Sequence, residues 1–189
     1  MLEVILDTET TGLSNTEKHR IVEIGCIELD NQISTNKIFH EYINPQRPVS
    51  EEAYKIHGYS DKFLSDKKTF AEISEDFLNF IKDKKLIIHN APFDLSFLNY
   101  EMRLIKKKEI DKKNIIDTLE IARIKYPGSQ NSLDALCKEL KVAQHDRHNA
   151  LGDALITAQV FQKILKRLQK ERTVKLHDLL METQHTKLF

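Results

Sequence analysis

The spacing of apolar positions changes along the chain, and each spacing predicts an element. Leu2 to Leu6 is a short apolar run ending in Asp7-Thr8-Glu9-Thr10-Thr11-Gly12, which reads as a buried strand entering a turn. Ile21 to Leu29 predicts a second strand and Lys37 to Ile43 a third, joined antiparallel through polar Asp30-Asn31-Gln32. Ser50 can cap a short helix that stops at Gly58. Thr69 and Glu72 form a capping-box pattern, opening a helix with Phe70, Ile73, Phe77 and Ile81 on one face. Leu86 to Ile88 is a short central strand. Pro92 suits the first turn of the next helix, with Phe93, Phe97 and Leu104 turned inward. Asn114 to Asp117 is another strand, followed by a helix from Thr118 to Lys125 and a break at Tyr126-Pro127-Gly128. Asn131 or Ser132 caps a helix through Leu140. In the last long helix Leu151, Ala154, Leu155, Ala158, Phe161, Leu165 and Leu168 recur at helical spacing. Strands first, then alternating helices, predict an α/β layered domain with a mixed sheet.

The 189 residues suffice for one domain and a short appendage, with 40% hydrophobic and 31% charged residues as in ordinary globular chains. After about Lys170 the chain becomes basic and irregular. We therefore expect a domain over 1–170 and a tail over 171–189. A formal net charge of zero argues against global attraction to polyanions, so any such binding must use local patches or bound cations. Cys26 and Cys137 sit in apolar runs without CxxC or Cys/His spacing, which predicts buried, reduced thiols and no zinc site. The N-terminus reaches Asp7 too soon for a signal peptide, and no uncharged stretch approaches membrane-spanning length. A soluble cytoplasmic protein without a membrane partner is expected.

Candidate chemistry lies with the carboxylates. In a strand, Asp7 and Glu9 point to the same face. Two acids in phase at the end of an apolar strand repel each other, so either they are simply solvated or a cation sits between them, and oxygen-only ligands suit Mg²⁺ or Mn²⁺ over Zn²⁺. Asp94 falls in a first helical turn, where it is either a capping acid or a ligand. In His148-Asn-Ala-Leu-Gly-Asp153 the five-residue separation sets the two side chains about 140° apart if both are helical. A shared site therefore requires His148 to lie off the helix, on the preceding loop. Read alone, that hexapeptide is an exposed loop histidine and a first-turn acid. His145 and Asp146 imitate a metal cluster without supporting spacing. Lys82, Lys84, Lys85 and Lys106 to Lys108 read as solvated faces, and His19, His40 and His177 carry no pattern.

Together these pieces, in this order, resemble the DEDDh 3′→5′ exonucleases of the DnaQ-like group, and within it the branch of proofreading epsilon subunits. The matching segments are LDTETTGL, HRIVEIGCIEL, YKIHGYS, LIIHNAPFDLSFLNYE, IIDTLEIAR, NSLDALC and HNALGDA, spanning residues 2 to 161. The histidine of the last motif selects the DEDDh branch. The resemblance implies a ribonuclease-H-like fold, with a central five-stranded mixed sheet flanked by helices. It implies hydrolysis of DNA from the 3′ end to nucleoside 5′-monophosphates with two divalent ions, Mg²⁺ or Mn²⁺. Asp7 would bridge the ions, Glu9 and Asp153 would hold the one carrying the attacking water, and Asp94 would hold the other. His148 would be the general base, a task an imidazole suits near neutral pH. Thr8, Thr10, Gly12, His57, His89, Asn90 and Phe93 would contact the terminal nucleotide, and Asp117 would be structural.

Two relatives of this reading stay open: an exonuclease trimming RNA ends or serving DNA repair, and a non-catalytic adaptor that binds a polymerase or clamp. The implied partners are a DNA 3′ end, the polymerase III alpha subunit and the sliding clamp. Gln184, Leu188 and Phe189 loosely match a clamp-binding peptide, with Lys187 as the departure. The longer segment that docks such subunits to the polymerase does not follow Phe189, which leaves tight polymerase association open.

Overall fold

The computed structural model describes residues 1–144 and 147–171, with side chains described through 169. Five strands, β1 (Leu2–Thr10), β2 (Ile21–Asp30), β3 (Ile33–Tyr42), β4 (Lys85–Ile88) and β5 (Ile115–Asp117), form one sheet in the order β3-β2-β1-β4-β5. β2 pairs antiparallel with β1 and β3, whereas β4 pairs parallel with β1 and β5. This is the expected mixed α/β sheet.

The helices are α1 (Glu51–His57), α2 (Asp61–Leu64), α3 (Phe70–Ile81), α4 (Ala91–Leu104), α5 (Thr118–Lys125), α6 (Leu133–Leu140) and α7 (Ala150–Glu171). Short 3₁₀ turns cover Asn15–Glu17 and Lys112–Asn114. The predicted caps are present. Ser50 caps α1 and Gly58 closes it in a left-handed conformation, Thr69 and Glu72 form the capping box of α3, and Ser132 caps α6.

Period-two alternation divides the core into two layers. Ile5, Ile27, Leu29, Ile87 and Ile116 pack under α5, α6 and α7. Val4, Leu6, Ile24, Cys26, Leu86 and Ile88 pack against α3 and α4. Both cysteines are buried and free.

Several expectations need correction. β1 runs to Thr10, because β2 keeps pairing with the polar residues. β3 begins at Ile33, since Asn31 and Gln32 both adopt positive φ and close a tight two-residue hairpin. Its first half is exposed and polar, so hydrophobicity does not mark it. Leu104, at the last position of α4, is 48% exposed, while Leu98 and Met102 are buried. Leu155 is 48% exposed as well, and α7 instead buries Ile156, Thr157, Val160 and Ile164. The helix packs on the sheet and on α6 at once, so its buried face is wider than one stripe. Lys84 is no solvated charge; it lies over the Phe80 ring and pairs with buried Glu28.

Candidate active site

β1 delivers the first carboxylates. Ile5 faces α7, so the same alternation turns Asp7 and Glu9 toward α7 and Thr8 toward the opposite layer. Asp153, in the first turn of α7, meets them there: one carboxylate oxygen each from Asp7, Glu9 and Asp153 lie within 4.8 Å of one another. Asp94 approaches on the Thr8 side. It is buried on α4, and its Oδ1 accepts hydrogen bonds from Thr8 N at 3.0 Å and Thr8 Oγ1 at 2.7 Å.

The electrostatics of this cluster are unfavourable for four bare charges. Burial and then Asp94, Asp153, Glu9 and Glu23 push the Asp7 carboxyl well above the usual range. Burial, then Glu23, Asp153 and Asp94, push Glu9 up to about 8. Burial raises Asp94 as well, against the two Thr8 hydrogen bonds that lower it. Such a set of close oxygen donors, with Asp7, Glu9 and Asp94 held above their ordinary range, fits a hard divalent cation. Arg147 now supplies positive charge, donating to Asp153 and bonding Asp134 Oδ1 through Nε at 2.9 Å.

His148 is exposed, precedes α7, and has φ 64. It therefore sits on the loop side of the helix that holds Asp153. Asn149 closes the helix start: its Oδ1 accepts from Gly152 N at 2.7 Å and its carbonyl from Asp153 N at 3.0 Å.

Beside the carboxylates, Glu9, Thr10, Gly12, His57 and Phe93 line a cleft of about 410 Å³. His57 has a defined tautomer. Tyr59 N donates to its Nδ1 at 3.0 Å, so Nε2 carries the hydrogen toward the Thr10 carbonyl at 3.3 Å. Burial lowers its pKa. Phe93 packs against Phe97 with the rings tilted and their centroids 5.0 Å apart. At Gly12 an added Cβ would lie 2.3 Å from the His19 ring, so that ring would have to move. The other predicted contacts lie outside that wall. Thr8 is engaged with Asp94, and His89 Nδ1 meets Thr118 Oγ1 at 2.9 Å. Burial holds His89 near a pKa of about 4. Asn90, in a left-handed conformation, begins α4. Asp117 caps α5 at Leu119 N and also accepts from Asn90 N. A larger cleft of about 900 Å³ along α6 and the loop before it contains none of the clustered acids.

Two residues beside the site were missed from sequence. Arg147 looked like part of a polar loop. Glu23 is fully buried, and its signal was a charge set among the apolar residues Ile21, Val22 and Ile24 that open the strand. His145 and Asp146 lie outside the described residues, as do Gln184, Leu188 and Phe189.

Residues 4–161 match the Exonuclease (RNase_T) family. The epsilon subunit of DNA polymerase III from Rickettsia felis is 54% identical over 167 residues, covering 86% of this chain and 73% of that protein. The corresponding subunit from Escherichia coli is 44% identical over 169 residues, covering 84% and 69%. Among solved structures, exonuclease X in complex with 5′ overhanging duplex DNA superposes with a TM-score of 0.71 at 27% identity, covering 94% of this chain and 96% of that one. The chain belongs to the Exonuclease family, on a ribonuclease-H-like fold, and is an epsilon-type 3′→5′ exonuclease within it.

Proposed function

We propose that this protein removes nucleotides from DNA 3′ ends as a replicative proofreader, with Asp7, Glu9, Asp94 and Asp153 as the ligands of two divalent cations, Mg²⁺ or Mn²⁺. The observation that carries this reading is the convergence of three carboxylate oxygens within 4.8 Å at the edge of a nucleotide-sized cleft. When bound, paired divalent ions supply charge neutralisation on the phosphate and a more acidic water.

The chain's own residues do the rest. Thr10, Gly12, His57 and Phe93 seat the terminal nucleotide in the cleft, the neutral His57 ring and Phe93 offering apolar faces to sugar and base. Thr8, His89 and Asn90 support that wall from behind. Thr8 holds Asp94 in place through its two hydrogen bonds. His148 takes the proton of the attacking water from its loop position, where it can adjust as substrate arrives. Mononucleotides are released as 5′-monophosphates. Neutral net charge is compatible with this, since only a few nucleotides need contact at the carboxylate cluster.

The domain is assigned to 1–170 and the tail to 171–189. Association with a polymerase alpha subunit, and clamp binding through Gln184, Leu188 and Phe189, belong to the same proposal, as does a cytoplasmic location. Among the described residues no helix is long and apolar enough to cross a membrane. Clamp affinity unchanged by Gln184→Ala and Phe189→Ala would remove the clamp from it.

The central test is release of mononucleotides from end-labelled DNA, with a mispaired primer and a short RNA compared. Asp7→Ala should abolish release. His148→Ala should lower kcat by about 10²- to 10⁴-fold and leave a residue of activity. Full activity in either variant refutes the assignment of roles, and preference for RNA would favour the end-trimming alternative.

A further inference from the structure

Glu23 is the third residue of β2 and is fully buried. It lies opposite Glu9 in the β1–β2 ladder. Three donors converge on its carboxylate. Oε2 accepts from Ala150 N at 2.8 Å and from the Tyr59 hydroxyl at 2.8 Å, and Oε1 lies 2.7 Å from His40 Nε2.

The Ala150 contact concerns the site directly. Ala150 is the first residue of α7, two residues after His148 and three before Asp153. A helix start leaves backbone N–H groups without intrahelical partners, and a carboxylate there is favoured by the dipole as well as by the hydrogen bond. Asn149 covers Gly152 N from within the loop, while Glu23 covers Ala150 N from the sheet. Gly25, two residues on and facing the same way, lets the helix come down onto β2. A Cβ there would lie 2.3 Å from Leu151 N and 2.4 Å from Ala150 C.

The Tyr59 contact leads to the nucleotide cleft. Its ring stacks on His57 with centroids 4.8 Å apart, and its backbone N–H fixes the His57 tautomer. One buried carboxylate thus joins the cleft wall to the segment that carries His148 and Asp153.

We propose that Glu23 is a positioning residue that caps α7 from the sheet and holds the His148–Asp153 segment in register with the nucleotide cleft. It touches neither substrate nor cation. The inference rests on the exonuclease reading above and adds a role to a residue outside the five-residue catalytic set. The mechanism is geometric, so it depends on an oxygen acceptor at Ala150 N more than on charge.

The test compares Glu23→Ala with Glu23→Gln in the full chain. Glu23→Ala should lower kcat on single-stranded DNA by roughly a hundredfold, with KM within about threefold of wild type. Glu23→Gln, which retains one acceptor oxygen, should recover most of that loss. Hydrogen–deuterium exchange without metal should rise in Glu23→Ala in the peptide covering residues 148–153 and stay unchanged in β1. Should Glu23→Ala not fold, Tyr59→Phe should raise exchange in the same peptide. Four results would overturn the proposal: kcat of Glu23→Ala near wild type, a Gln variant as impaired as Ala, a loss carried by KM alone, or unaltered exchange at 148–153. A wild type inert on DNA would refute the exonuclease reading, while the exchange measurement still judges the capping role.

Discussion

Replacing Glu9 with Gln should make the metal-free protein more stable while crippling it as an enzyme. Glu9 faces Asp7 and Asp153, and its carboxyl is pushed from 4.5 to about 8 by burial and then by Glu23, Asp153 and Asp94. A folded-state value above the unfolded one contributes stability that is complete below about pH 4.5 and is lost as pH rises through about 8. At about 1.4 kcal/mol per unit, the interval corresponds to about 4 kcal/mol at pH 8. Water reaching the partly exposed side chain reduces this to about 2 kcal/mol. The amide is uncharged throughout and close in shape. In EDTA at pH 8, Glu9→Gln should therefore melt roughly 4–8 °C above wild type. At pH 5 the difference should shrink below about 1 kcal/mol, because folded wild type is then already protonated at this position. Saturating Mn²⁺ should raise wild type by about 2–3 kcal/mol at a hundred times its Kd, and the variant by less. Thermal unfolding followed by circular dichroism at both pH values reads all three. A variant no more stable than wild type at pH 8, or equally stabilised at pH 5, would show that the site stores no such repulsion.

The remaining expectations concern the frame around the site. Gly25→Ala puts a methyl group against the backbone of Ala150 and Leu151, so the first turn of α7 must move. We expect a loss of about 1–3 kcal/mol in a thermal melt and roughly a hundredfold in kcat; wild-type activity would refute the close approach. At the other end of β2, Lys84, then Thr35 and Lys37, hold the buried Glu28 carboxyl near 2, against burial. Here the folded value is depressed, so this stability is present above about pH 4.5 and is lost as pH falls through about 2. Lys84→Met should cost about 2 kcal/mol at pH 7 and much less near pH 2, as read by denaturant titration; an equal cost at both would assign the loss to packing alone. Asp7→Ala and His148→Ala separate the loss of a cation ligand from the loss of a proton acceptor, since the latter should leave Mn²⁺ binding by calorimetry intact.

Local chemistry was legible in the chain wherever one residue type has a single use. Ser50 with Gly58, Thr69 with Glu72, and Ser132 marked helix ends that the structure reproduces, because caps act within four residues. α2 and the first half of β3 escaped notice because their apolar positions are too few or too exposed to show a period. Leu104 and Leu155 were misplaced for a related reason: helical spacing specifies which residues share a face but not how far the neighbouring layer extends.

The sequence alone determined the phase of Asp7 and Glu9 on one strand face, and it made a site shared by His148 and Asp153 conditional on His148 lying off the helix, since both follow from backbone periodicity. The tertiary structure decided that β1, α4 and α7 bring Asp7, Glu9, Asp94 and Asp153 into one electrostatic environment. It alone showed that Thr8 is committed to Asp94, that Arg147 faces Asp153, and that Glu23 reaches Ala150 across 127 residues of chain. Such contacts depend on which layers meet, and no spacing along a chain encodes the distance between layers.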